Sequence, residues 1–371
     1  MVGNKEWYSI LNIDNIDSPA LVVYPDRVFS NIRKLKSMVK DVQQLRPHVK
    51  THKMLEVVKL IMEEGILKFK CSTIAEAEML GMAGAQDVLL AYQPVGPKIK
   101  RLAKLIKQYP KTKFFCLIDS FENVELINKV FEQEALHISV YVDVNVGMNR
   151  TGILPDECAL QLYSEADKLA NIKVVGLHIY DGHIRDQDFK LRKLKSDQAF
   201  EPVKWLISEI VKAGKDKPLL VAGGSPTFPV HALRQEVECS PGTFVFWDWG
   251  YHTDLKDQDF KLAALVITRV ISIINSNTLC LDLGHKSVAS ENPLPRVHFL
   301  NEPDAEPVAQ SEEHLVVKVA DAQNFKPGDV FYGVPYHICP TCALYEKAYI
   351  AENQIINSSW EIISRNRYIS I

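Results

Sequence analysis

Short apolar segments recur at even intervals through the first two-thirds of the chain, and amphipathic segments with helical spacing lie between them. This alternation predicts βα units around a parallel sheet. About eight strands are predicted, the number that closes a (β/α)8 barrel of the TIM type, an α/β fold. The predicted strands are 43–50, 68–72, 87–92, 113–118, 138–144, 174–179, 219–222 and 237–240. The predicted helices include 53–64, 74–82, 98–108 and 202–213.

The pattern changes after about Trp249, where strand-like segments at 262–274, 278–283, 314–319 and 329–332 are separated by turn-rich sequence. Such segments without intervening helices predict a mostly antiparallel β-domain. We therefore predict a barrel over residues 15–250 and a C-terminal β-domain over 251–371, which residues 1–14 are expected to join.

Composition narrows the function classes. The 371 residues are 47% hydrophobic and 24% charged, as in a globular protein with a large core. A net charge of -3 gives no case for nucleic acid or an anionic membrane as a partner. The first residues are polar, no apolar run approaches the ~20 residues of a membrane span, and the seven cysteines are scattered. We expect reduced thiols and a cytoplasmic protein.

The first predicted strand ends in a cluster of basic residues. The segment 46–53 reads Arg-Pro-His-Val-Lys-Thr-His-Lys and contains His48 and Lys50. A lysine that ends a buried strand faces the mouth of the barrel, where desolvation and nearby cations make its amine nucleophilic. The alternative is a solvated basic turn with Thr51 as a helix N-cap, and Lys53 is the rival amine.

Polar loops also follow the fifth and sixth strands. The fifth runs into a loop with two glycines and Arg150, which is also typical of an ordinary βα turn. The sixth ends in His178-Ile179-Tyr180, and His183 follows shortly after. Alternation places His178 and Tyr180 on one face, where they suit ring contacts or proton transfer, although a satisfied core histidine is the competing interpretation.

Two glycine-containing loops follow the last two strands. Gly223, Gly224 and Ser225 follow the seventh, and Gly242 and Thr243 follow the eighth. Free backbone amides and a helix that begins at Pro226, with Ser225 as its cap, favour phosphate. Phosphate sites shared by these two loops recur in barrels of this type.

The β-domain contains His337 and Cys339, an imidazole and a thiol that suit Zn²⁺. Two protein ligands leave open positions for water or substrate. Cys339 and Cys342 also form a C-x-x-C pair, but the βαβ context of a redox motif and the second pair of a zinc ribbon are both missing from the pattern.

Taken together, these motifs resemble the fold-type III pyridoxal phosphate enzymes, in particular the D-threonine aldolase and D-serine dehydratase group, over nearly the whole chain. The resemblance implies that Lys50 holds pyridoxal phosphate as a Schiff base and that Arg150 and Tyr180 reach the coenzyme ring. It also implies that Gly224, Ser225, Gly242 and Thr243 hold the phosphate. His337 and Cys339 match the metal pair of the group, with zinc the first choice and manganese the second, and Cys342 has no assigned role.

The resemblance predicts a lyase that acts on 3-hydroxy-D-amino acids. Lys50 would remove the α-proton, the metal would bind the β-hydroxyl, and His48, His178 or His183 would assist proton transfer. The cysteine ligand favours dehydratase over aldolase. An amino-acid racemase on the same coenzyme and a non-catalytic pyridoxal phosphate-binding protein are the alternatives. The resemblance also implies a homodimer, with a small-molecule D-amino acid as the substrate.

Overall fold

The computed structural model describes residues 6–371. Within this range the helices are α1 Pro25–Ser37, α2 Leu55–Glu63, α3 Ile74–Ala83, α4 Pro97–Gln108, α5 Phe121–Gln133, α6 Glu157–Ala166, α7 Phe189–Lys212, α8 Phe228–His231, α9 Trp249–Asp254 and α10 Ile338–Cys342. The strands are β1 Ala20–Val23, β2 Lys68–Cys71, β3 Asp87–Leu90, β4 Lys113–Ile118, β5 Ile138–Val144, β6 Ile172–Ile179, β7 Leu219–Ala222, β8 Val237–Cys239, β9 Ala264–Asn275, β10 Thr278–Leu281, β11 Val297–Phe299, β12 Glu306–Gln310, β13 Leu315–Lys318, β14 Val330–Pro335, β15 Lys347–Glu352 and β16 Ile355–Glu361. None of these helices is long and apolar enough to cross a membrane.

The chain divides into two compact units. The barrel unit comprises Leu35–Lys50, Val57–Gly242 and Asn366–Ile371. The β-domain unit comprises the described residues up to Lys34, together with Thr51–Glu56 and Thr243–Arg365.

The barrel unit is built on one parallel sheet. Strands β2 to β8 pair in chain order, and every pairing between them is parallel. Helices connect successive strands, as parallel pairing of consecutive strands requires. This architecture and the mostly antiparallel sheet of the other unit confirm the predicted α/β barrel followed by a β-domain.

The predicted first strand, 43–50, is not a regular strand. A 3-10 helix occupies Val42–Gln44, and only isolated parallel bridges follow, from Leu45 to Cys239 of β8 and from His48 to Lys70 of β2. Pro47 lies between these bridges and has no N–H to continue a ladder. The segment nevertheless lies between the two edge strands of the sheet, so it takes the place of the eighth strand.

Three helix predictions are also corrected. Helix α2 begins at Leu55 rather than Lys53, because Lys53 has a left-handed φ of 57°. Helix α7 begins at Phe189 and contains Pro202, which the prediction placed at a helix start. Helix α8 begins at Phe228 with Thr227 as its N-cap, so Ser225 does not cap it.

Large apolar side chains from alternate strand positions fill the sheet's interior. Leu89, Phe115, Leu117, Tyr141 and Val221 form one fully buried cluster. A buried side chain of this size contributes roughly 1.5–3 kcal/mol through the hydrophobic effect. The packed interior fixes the strand ends, and polar side chains extend beyond them.

The β-domain unit contains one sheet of nine strands, in the order β12-β13-β10-β9-β1-β15-β16, with β14 paired to both β9 and β11. All pairs are antiparallel except β1 with β15. Strand β9 runs for 12 residues through the middle of the sheet. The N-terminal strand β1 therefore belongs to this sheet.

Arg46 is a charged side chain buried in the barrel unit. It is 1% exposed. Its guanidinium donates to Glu238 Oε2 at 2.6 Å and also to Asp87. Burial lowers the pKa of Arg46, but the charges of Glu238 and Asp87 outweigh this and raise it above its usual value. The two ion pairs tie the segment before Lys50 to β3 and β8.

We predict that Arg46→Ala lowers the free energy of unfolding by about 3–5 kcal/mol, because it leaves two carboxylates without their buried cation. Lys68→Ala is the control, since the Lys68 amine binds the same Glu238 at 2.5 Å but is 25% exposed. This control is expected to cost about 0–1 kcal/mol. Urea unfolding measures both, and equal losses would contradict the assignment.

Candidate active site

A cavity of about 430 Å³ lies at the carboxyl ends of the barrel strands. Five residues singled out in the sequence line it together: His48, Lys50, Arg150, His178 and Tyr180. The prediction that the ends of separate strands bring these side chains together therefore agrees with the structure. The cavity is also lined by side chains that sequence analysis missed, among them Lys70, Gln93 and Thr151.

Backbone hydrogen bonds fix the position of Lys50. The N–H of His48 donates to Pro241 O at 2.9 Å, and the N–H of Val49 donates to Lys70 O at 3.0 Å. The N–H of Lys50 itself donates to Nδ1 of His48 at 3.1 Å. His48 therefore sets the backbone at Lys50, and the lysine side chain extends from a rigid segment into the cavity.

Three strands place Asp143, His178 and Lys70 in one buried chain. His178 Nδ1 lies 2.7 Å from Asp143 Oδ1, and His178 Nε2 lies 3.2 Å from the Lys70 amine. Gln93 and Thr151 both donate to Asp143 Oδ2 at 2.8 Å. The hypothesis of a satisfied core histidine is thus partly correct, since His178 is hydrogen-bonded on both nitrogens and also lines the cavity.

Cations flank the Tyr180 ring on the cavity wall. The Arg150 guanidinium carbon lies 4.9 Å from the ring centroid, and the Lys70 amine lies 5.5 Å from it. A Cβ on Gly224 would lie 3.1 Å from the Tyr180 ring, so glycine leaves room for this arrangement. His183 is exposed, and its ring packs against Gly147.

The loop after β7 contains a glycine in the left-handed region of backbone conformation. Gly223 has a φ of 74°, and a Cβ there would lie 2.6 Å from Cδ2 of His231. Ser225 Oγ accepts a hydrogen bond of 3.2 Å from the N–H of Gly242. Ser240 Oγ is buried without a hydrogen-bond partner among the described residues. The two predicted phosphate loops therefore meet, and they present a hydroxyl that lacks an acceptor.

The buried carboxylate of Asp181 holds this loop in place through hydrogen bonds. Asp181 accepts hydrogen bonds from Thr227 at 2.6 Å and from Ser196 at 3.1 Å, and its Oδ2 lies 2.9 Å from His231 Nε2. Burial raises the pKa of Asp181, but the charge and hydrogen bond of His231 outweigh it and lower the pKa to about 2. The sequence motif placed Asp181 beside Tyr180, but the partners that give it a role are about 15 to 50 residues away in the chain.

His337 and Cys339 lie at the start of α10 in the β-domain unit. His337 Nδ1 is 2.5 Å from Glu291 Oε1, and Cys339 Sγ is 3.1 Å from Oγ1 of Thr51 and 3.6 Å from Oγ1 of Thr243. The predicted phosphate ligand Thr243 is thus within reach of the thiol. Among residues 6–371, no cluster of three or more histidine, cysteine, aspartate or glutamate side chains is arranged to hold a metal.

Cys342, which the sequence left without a role, is fully buried. Burial raises the pKa of its thiol well above the usual value, and the neighbouring Cys339 adds to this. A thiol held protonated is a poor metal ligand, because the thiolate is the form that coordinates. Cys342 is therefore a buried core residue.

Two family models match the chain. The model described as alanine racemase, N-terminal domain, matches residues 23–248. A second model, for a serine dehydratase domain, matches residues 263–351.

Similar proteins match over nearly the whole chain. The chain is 27% identical over 359 residues to D-threonine aldolase from Arthrobacter sp, and the match covers 94% of this chain and 93% of that protein. It is 26% identical over 366 residues to 3-hydroxy-D-aspartate aldolase from Paracoccus denitrificans, covering 95% and 93%. The crystal structure of D-threonine aldolase from Filomicrobium marinum has the same fold, with a TM-score of 0.87 at 23% identity and coverage of 97% and 98%.

We predict that Gly223→Ala lowers the free energy of unfolding by about 2–4 kcal/mol, because the new methyl group has both an unfavourable φ and a clash with His231. Gly214→Ala is the matched control. Gly214 has a φ of 78° but open space around it, so only the backbone strain remains, about 1 kcal/mol. Thermal unfolding of both variants checks this, and equal shifts would refute the clash.

Proposed function

Because this chain belongs to the family described as alanine racemase, N-terminal domain, we propose that it is a pyridoxal phosphate-dependent lyase that acts on 3-hydroxy-D-amino acids. Two of the relatives that match over nearly its full length carry the names of aldolases for such compounds. The observation that carries the proposal is the cavity that Lys50 shares with Arg150, His178 and Tyr180.

The residues of the barrel unit fit pyridoxal phosphate. A phosphate needs N–H and O–H donors on a surface that it can approach closely. Gly223 and Gly224 keep the loop after β7 free of side chains, and Ser240 offers a buried hydroxyl with no partner in the described chain. Lys50 lies at the cavity as the amine that would bond to the aldehyde carbon. When bound, the coenzyme supplies an electron sink for negative charge at Cα.

The side chains around the cavity have different roles in the proposed reaction. Lys50, as a free amine, is the base for the α-proton. Arg150 is a cation on the cavity wall that attracts the substrate carboxylate. His178 has its tautomer fixed by Asp143, so that it presents an acceptor nitrogen to the neighbouring amine.

We propose that His337 and Cys339 hold a divalent metal, with zinc preferred over manganese. Imidazole and thiolate suit zinc, and manganese favours oxygen ligands. Glu291 accepts from Nδ1 of His337, which leaves the other ring nitrogen for the metal, as in many histidine sites. Two protein ligands leave positions open, which is the property of a catalytic rather than a structural site. A metal there would polarise the β-hydroxyl of the substrate.

The subunit organisation and location are proposals of the same kind. We propose a homodimer in the cytoplasm, without nucleic-acid or membrane partners. The small formal net charge of -3 supports the last point. Light scattering during size-exclusion chromatography tests the dimer.

We predict that purified protein incubated with pyridoxal phosphate and then reduced with borohydride carries the coenzyme on Lys50, because this amine lines the cavity. Peptide mass spectrometry locates the label. Lys50→Ala should abolish both label and turnover, and Lys53→Ala, the control at the rival amine, should retain them. A label on another lysine, or no label in the unaltered protein, would refute the proposed function.

The reaction type is tested with D-serine and D-threonine, with and without a chelator. Pyruvate or 2-oxobutyrate indicates dehydration, and glycine indicates aldol cleavage. Racemisation without either product would instead support the racemase hypothesis. Turnover of any D-amino acid would exclude a non-catalytic binding protein.

We predict that Cys339→Ala loses bound metal and lowers lyase activity at least about 100-fold, because one of two protein ligands is gone. Cys342→Ala is the control on the same helix, with its thiol buried and protonated. It should keep the metal content of the unaltered protein, measured by elemental analysis after dialysis. Loss of metal from both variants, or from neither, would contradict the assignment.

A further inference from the structure

A second lysine lies in the interior of the barrel beside the cavity. Lys70 is the third residue of β2 and is 3% exposed, and it lines the same cavity as Lys50. A buried amine of this kind is rare in folded proteins unless it is paired or functional. The sequence pattern did not distinguish it from Lys68, two residues earlier on the same strand.

The donor and the acceptor can be assigned in each hydrogen bond around Lys70. Asp143 accepts from Gln93 and Thr151 on Oδ2, so its carboxylate is held in the ionised form, and Oδ1 accepts from Nδ1 of His178. Burial raises the pKa of Asp143, but the hydrogen bond and charge of His178 outweigh it and lower the pKa. His178 Nε2 is then an acceptor, and the Lys70 amine donates to it at 3.2 Å.

Because the Lys70 amine uses only one N–H to donate to His178, its other positions can interact with groups in the cavity. An uncharged amine that donates one N–H to His178 retains a lone pair and a second N–H. An ammonium group formed at this position can pass a proton towards His178, whose imidazolium form would pair with Asp143. Burial and the charge of Lys70 lower the pKa of His178, and Asp143 opposes this. The arrangement therefore lets Lys70 accept a proton from the cavity, and Asp143 offsets part of the charge that results.

The charged groups around Lys70 come from several elements. Lys50 and Arg150 are the neighbouring cations, and Asp143 and Asp181 are the neighbouring anions. Burial, followed by the charge of Lys50, lowers the pKa of Lys70 to about 7. A substantial fraction of this amine is therefore uncharged at neutral pH, unlike an exposed lysine.

We propose that Lys70 is a further catalytic residue, a second amine that accepts the proton which an incoming D-amino acid must lose from its ammonium group. An ammonium group has no lone pair, so the amino acid becomes a nucleophile only after this loss. The N–H bond of the substrate breaks, a new N–H bond forms on Nζ of Lys70, and the substrate nitrogen keeps the electron pair. The proposal rests on the proposed function.

The test follows the absorbance of the coenzyme-loaded protein after rapid mixing with D-alanine. D-Alanine has no β-hydroxyl, so the measurement reports amine exchange at the coenzyme and not lyase turnover. The variants are Lys70→Met and, as the control on the same strand, Lys68→Met. Borohydride labelling of Lys50 is measured first in each of them.

We predict that Lys70→Met slows the absorbance change at about pH 7 by at least about tenfold, as expected for loss of a general base. The rates of variant and unaltered protein should converge above about pH 9, where the amino acid loses its proton to solvent without help. Lys68→Met should follow the unaltered protein throughout. A role confined to packing would lower the rate by the same factor at every pH.

The outcomes separate the two claims. If Lys50 is not labelled in the unaltered protein, the proposed function fails. If Lys50 is labelled but the Lys70→Met profile matches the unaltered protein, or is lower by a constant factor, only the role of Lys70 fails. If Lys70→Met does not fold, His178→Gln replaces it, because its amide keeps a hydrogen-bond acceptor for Lys70 but cannot take up a proton. An unchanged profile in that variant would overturn the proposed relay.

Discussion

The structure of the barrel unit depends on the pairing of Arg46 with Asp87 and Glu238. The segment that takes the place of the eighth strand has only isolated bridges, because Pro47 interrupts its ladder. A charge buried at 1% exposure must be compensated where it lies, so this guanidinium can occupy one position only. Lys50 is four residues further along the same segment. The position of the amine in the cavity is therefore set by an ion-pair triad and by the backbone hydrogen bonds of residues 48–50, rather than by a regular strand.

The general fold could be predicted from hydrophobic periodicity, because the buried strands β4, β5 and β7 have apolar runs with clear ends. The first strand could not, since Gln43 to Lys50 has the composition of a strand but its hydrogen bonds depend on β2 and β8. Helix α7 shows the same limit. Pro202 is a strong sign of a helix start, yet here it lies inside a helix of 24 residues, where packing outweighs the local preference.

The residues of the candidate site also differ in whether the sequence could predict them. Lys50, Arg150 and Tyr180 lie next to strand ends, so rules about barrel topology find them. Lys70 lies inside a strand and is separated from Lys68 by one residue. One of these amines reaches Glu238 near the surface, and the other is buried beside His178. Their sequence surroundings are nearly identical, so only the pairing of β2 with its neighbours and the side chain facing it on β6 distinguish them.

The two amines of the cavity need different electrostatic surroundings. Lys50 and Arg150 place positive charge at the cavity beside the Lys70 amine, which favours an anionic coenzyme and an anionic substrate. Burial and these like charges oppose a proton on Lys70, and the carboxylates of Asp143 and Asp181 offset this only in part. A cavity built in this way attracts carboxylates and phosphates and at the same time keeps one amine uncharged. Strong binding of anions and a free base thus follow from one arrangement of charge, and His178 with Asp143 provides the place to which a proton can move.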